Sequence, residues 1–88
     1  MGNLFLVVLS PSIDRKVAID LLGEKQLIEF WFYNLPNSFF VRSNRSAAEI
    51  STALIERFGK QRHFVTLVTD DRQGMLPEKH WKLINPAD

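Results

Sequence analysis

The side chains of this chain whose types could do chemistry are few: the adjacent acids Asp70 and Asp71, the histidines His63 and His80, Ser10 after the first apolar run, and the basic trio Arg57, Lys60 and Arg62. Two carboxylates could take a divalent cation, but neighbours in a polar turn point in different directions and a metal site needs convergent ligands. They read as a solvated turn. Neither histidine has a cysteine, serine or aspartate at a spacing that would orient it as the base of a nucleophile pair, so both read as surface or boundary residues. The basic trio closes a helix, where positive charge offsets the dipole; its functional alternative is an edge that faces phosphates. No residue is assigned a catalytic or metal-ligating role, and no cofactor is implied.

The strongest signal is aromatic. Six of the ten aromatic residues fall between positions 30 and 40, in Phe30-Trp31-Phe32-Tyr33 and, after Leu-Pro-Asn-Ser, Phe39-Phe40. This is the pattern of a β-hairpin apolar on both faces. An antiparallel hairpin ordinarily wets one face, so a second subunit, a base or a ligand is expected to cover the other.

The elements that must position this hairpin fit a single domain over 1–88, close to the size at which one core is thin and association helps. A hydrophobic content of 45% with 24% charge marks a globular chain rather than a disordered one. The net charge of +1 disfavours a dedicated nonspecific nucleic-acid binder. With no cysteine, disulfides and thiolate metal sites are excluded and a reducing compartment fits. The apolar run Leu4–Leu9 is too short for a signal peptide or a membrane span, so a soluble cytoplasmic protein is expected, with no membrane partner.

Leu4–Leu9, apolar throughout, reads as a central strand buried on both sides. Ile13, Val17 and Leu21, with Ala18 and Leu22, recur at helical spacing up to Gly23, where a helix C-terminus accepts positive φ. Residues 26–34 alternate as a strand, and Ser38–Ser43 form the next. Ser46-Ala47-Ala48-Glu49 is a capping box, followed by the stripe Ile50, Leu54 and Phe58 flanked by Ala47 and Ile55, and a stop at Gly59. His63–Thr69 is a fourth strand. After the polar turn 70–74, Leu76–Trp81 either opens a short helix with proline in its first turn or runs extended; the sequence leaves residues 74–88 undecided.

This order predicts an α+β, ferredoxin-like βαββαβ fold: a four-stranded antiparallel sheet, both helices on one face, and an extra C-terminal segment. A hairpin loop of two or four residues centred on Pro36-Asn37 sets Phe32 opposite Val41, Tyr33 opposite Phe40 and Trp31 opposite Arg42. Phe30, Phe32, Phe39 and Val41 then lie under the helices, and Trp31, Tyr33, Phe40 and Arg42 stand on the open face. Because Pro36 cannot take the positive φ of a type I′ turn, the four-residue loop is preferred.

The aromatic hairpin, Ser46-Ala47-Ala48-Glu49-Ile50, the apolar strand Phe64–Val68 and Leu76-Pro77 before Trp81 together resemble the small bacterial family labelled SinR-type, unrelated to the helix-turn-helix repressor of that name. The resemblance is best over residues 30–84. It implies a ferredoxin-like fold similar to VapD-type ribonucleases and CRISPR-associated spacer-acquisition subunits. Those proteins dimerise through their sheets and brace the partner with a C-terminal segment. Their nucleases carry an aspartate at the end of the first strand; here Ser10 stands there, a poor metal ligand, with Asp14 four residues on. Enzymatic activity is therefore disfavoured.

Three functions are expected in descending order. The first is a homodimeric interaction module, with Trp31, Tyr33 and Phe40 at its dry centre, Arg42 and Arg45 at its rim, and Trp81 anchoring the C-terminal segment over the sheet edge or on the partner. The second is a single-stranded nucleic-acid binder that stacks bases on the same aromatics. The third is a metal-dependent nuclease by analogy of fold.

Overall fold

A computed structural model describes residues 2–85 of the chain. Its elements are β1 (Asn3–Leu9), α1 (Arg15–Glu24), β2 (Phe30–Phe32), β3 (Ser38–Ser43), α2 (Ala47–Phe58), β4 (His63–Leu67) and α3 (Glu78–Ile84). The four strands form one antiparallel sheet in the order β2-β3-β1-β4. The class is α+β, with three helices. β1, apolar from Leu4 onward, lies between β3 and β4 as expected of a central strand, but Val8 on its second face is exposed.

Alternation along β1 divides the core in two. Phe5, Val7 and Leu9 face α1 and α2, where Ala18, Ile19, Leu22, Ile50, Ala53 and Leu54 close over them with Phe39 and Val41 of β3. Leu4, on the other face, packs with Phe32, Phe40 and Ile84, and Leu6, Leu76, Trp81 and Leu83 border that cluster. The second face is thus covered over part of its area by the chain's own α3. Of the two courses open to the segment after residue 74, the helix is the one taken, from Pro77 as N-cap to Ile84. Residues 86–88 of that segment lie outside the described residues.

Local signals place the helices. Asp14 caps α1, its carboxylate accepting from the amides of Lys16 and Val17. Gly23 falls inside α1 rather than after it; the helix runs on to Glu24, and Gln26 takes the left-handed conformation, φ 57°. The buried stripe is Ala18, Ile19 and Leu22, with Val17 and Leu21 at its border. The capping box of Ser46 and Glu49 opens α2, and Gly59 ends it at φ 70°. Ile55, expected on the buried side, is exposed, and Ala53 takes its place in the core.

The hairpin register differs from expectation by one residue. Phe30 stands opposite Arg42, Trp31 opposite Val41 and Phe32 opposite Phe40. A connection of odd length accounts for this: Leu35-Pro36-Asn37 spans positions 34 to 38, with Asn37 left-handed at φ 57°. That is the pattern of a three-residue hairpin loop, which keeps Pro36 at an ordinary negative φ. β3 presents the faces expected of it. The shift turns every side chain of β2 over. β2 is also shorter than expected, because the turn at Gln26 consumes its start.

Candidate functional site

The six residues expected on one surface occupy three places. Phe40 is buried beneath α3, its ring stacked on Phe32 with centroids 4.9 Å apart. Arg42 also faces α3: its guanidinium donates to the carbonyls of Leu83 and Ile84 at 3.2 and 3.1 Å, satisfying two of the orphan acceptors at that helix end. Trp81 borders the same cluster. These three hold the C-terminal helix to the sheet. Arg45 lies apart, exposed before α2 and 3.5 Å from Glu49.

Trp31 and Tyr33 are on the opposite face of β2, beside α1, a correction to the open-face placement that follows directly from the register. Both are about half exposed, at 45% and 44%. Their rings stack with centroids 5.9 Å apart and planes 5° from parallel. The Arg15 guanidinium lies 3.5 Å from the Tyr33 ring centre and donates through Nη1 to the carbonyls of Leu35 at 2.9 Å and Ser38 at 3.3 Å. One cation therefore ties α1, the aromatic pair and the hairpin loop together. Trp31 separates two grooves between α1 and the sheet edge. One, of about 600 Å³, runs past Tyr33, Arg15 and Pro36; the other, of about 350 Å³, runs past Ile28, Glu29 and Glu24.

A second exposed apolar area lies at the other edge of the sheet. Val8 stands opposite Phe64 on the α3 side, at the end of β1 that α3 does not reach. Phe64 is 64% exposed, and β4 is an edge strand with one side unpaired. Among the described residues this corner and the hairpin edge each bring several large apolar side chains into solvent, while Ile55, Leu67 and Met75 are exposed as well.

The polar candidates fall elsewhere. Ser10 accepts a backbone bond from Ser12 and shares a hydroxyl contact with it, 2.9 Å between oxygens. Asp70 pairs with Arg72 at 3.3 Å. Among the described residues no three His, Asp or Glu side chains converge as a metal site would require, and no helix is long and apolar enough to cross a membrane. His80 Nδ1 is 2.6 Å from the Asn34 amide nitrogen, and its ring packs on Phe32 at 5.4 Å, so it helps to seat α3. His63 has a serine partner that spacing along the chain does not reveal: Ser51 Oγ is 2.7 Å from its Nε2, and Gln61 O is 3.4 Å from its Nδ1. Only the packing of α2 on β4 brings these together. A nucleophile and base also need a cleft with oxyanion donors. Neither residue lines the grooves beside β2, and their contact fastens α2 to β4.

No family model matches the chain, nor does any curated protein or solved structure.

Proposed function

We propose that this chain is a cytoplasmic protein-interaction module that forms a homodimer through the part of its second sheet face that α3 leaves bare. The observation that carries the reading is the exposure of Phe64 beside Val8 along the free edge of β4. An unpaired edge strand presents a row of backbone donors and acceptors, and an apolar patch next to it has a driving force for association. Two copies meeting edge to edge about a two-fold axis would satisfy both, since the same strand and the same phenylalanine face each other. The centre of the interface thereby moves from Trp31, Tyr33 and Phe40 to Val8 and Phe64.

The element order β-α-β-β-α-β and the strand order β2-β3-β1-β4 support a ferredoxin-like assignment. With the aromatic hairpin, they also support kinship with the bacterial SinR-type proteins, although α3 packs on the chain's own sheet rather than bracing a partner. A basic stretch favours single-stranded nucleic acid as a second reading: Arg57, Lys60 and Arg62 lead directly into the strand that exposes Phe64.

Phe64→Ser tests the first reading cleanly, because so exposed a side chain contributes little to the fold of one copy. A dimer that becomes a folded monomer supports it. A wild-type monomer that binds oligonucleotides with steep salt dependence supports the second.

A further inference from the structure

We propose that the edge of β2 docks an extended segment of a partner protein and that the outer face of Trp31 seats a cationic side chain, arginine or lysine, carried by that segment. This surface lies on the opposite edge of the sheet from Val8 and Phe64, so both contacts can be made at once.

Three observations converge on Trp31. First, its ring is half exposed, stacks with Tyr33 two residues on, and also lines the smaller groove with Ile28 and Glu29. Second, that groove carries Glu24, which has no cationic partner among the described residues, and Asp20, whose carboxylate is paired with Lys16 at 3.1 Å; Glu29 also lines it, with one carboxylate oxygen turned toward Gly2 and Ser43. Among the described residues no basic side chain lines the groove, so its charge complements a cation. Third, the aromatic pair already holds a guanidinium at its other end, where Arg15 lies 3.5 Å from the Tyr33 ring centre. A cation on Trp31 would complete a stack of charge, ring, ring and charge, with carboxylates beside the incoming one.

The backbone supplies the rest. Among the described residues β2 pairs only with β3, so its outer side can accept a strand, whose side chains would reach Trp31 and the exposed Phe30, both of which line the smaller groove. The segment that fits has its arginine or lysine flanked by apolar residues.

The test uses the full chain labelled with ¹⁵N and a pair of blocked pentapeptides, Thr-Val-Arg-Val-Thr and the same peptide with citrulline, which keeps the shape of arginine without its charge. The indole N–H of Trp31, assigned with Trp31→Phe, reports binding. The arginine peptide is expected to shift it and to bind about ten-fold more tightly than the citrulline peptide. Glu24→Gln should reduce that difference, and Trp31→Leu, followed at its backbone amides, should abolish it. Equal affinities would overturn the cation seat. Absence of binding up to millimolar peptide, or binding that leaves the Trp31 indole unmoved, would overturn the docking surface. So would a single-stranded oligonucleotide that moves this indole where neither peptide does.

Discussion

Phe32 lies against Phe40 across the β2–β3 ladder, ring centroids 4.9 Å apart and planes 12° from parallel, on the side of the sheet where α3 rests. This pair decides which aromatics are structural and which are available. With Phe32 and Phe40 used to seat the C-terminal helix, Trp31 and Tyr33 are turned to the opposite face and left half in water.

The division predicts unequal costs for truncating neighbouring aromatics. Phe40→Ala should lose about 3–5 kcal/mol by opening a cavity under α3, whereas Trp31→Ala should lose about 1 kcal/mol, the worth of one stacked contact. Urea unfolding of the two variants measures both. Comparable losses would contradict the register.

Arg42 is the polar half of the same anchor. Arg42→Gln should cost about 1–2 kcal/mol, since two charge-assisted bonds to the end of α3 disappear at a part-buried site. Hydrogen exchange should accelerate first at the amides of residues 81–84, with β1 and α2 little changed.

Backbone constraints give two sharper cases. Gly59 sits at φ 70° and ψ −135°, a conformation that is costly for any residue with a Cβ, so Gly59→Ala should lose about 1–3 kcal/mol by thermal unfolding. A Cβ on Gly2 would come within 2.5 Å of the Ser43 carbonyl carbon and oxygen, both backbone atoms, so Gly2→Ala must displace the start of β1. Its signature is a chemical-shift change at Ser43 and Asn44.

Ser46 accepts from the Glu49 amide at 3.1 Å, and Glu49 accepts in return from the Ser46 amide at 3.2 Å. Ser46→Ala should cost about 1 kcal/mol, and Ser46→Asp should recover most of it.

Much of the fold was legible in short-range pattern. The limits of β3 and the capping box of α2 follow from residues that signal within a few positions, and the apolar run Leu4–Leu9 marks β1 as central. The site was less legible because it depends on parity. One residue in a hairpin loop reverses a strand, and Leu35-Pro36-Asn37 takes three where even numbers were expected; the left-handed Asn37 was the available clue. Gln26 likewise shortened β2 through a conformation that propensity does not assign to glutamine. The role of Arg42 and the Ser51–His63 contact were out of reach for another reason: their partners lie 41, 42 and 12 residues away and meet only once the helices have docked.

The account's central claim is self-association through the bare corner at Phe64, and the solution mass by light scattering tests it most directly. From a few μM upward, the wild-type chain should give twice the 10.2 kDa monomer mass, and Phe64→Ser should return it to one copy with its circular dichroism unchanged. A wild-type monomer at every concentration, or a dimer that Phe64→Ser leaves intact, would contradict it.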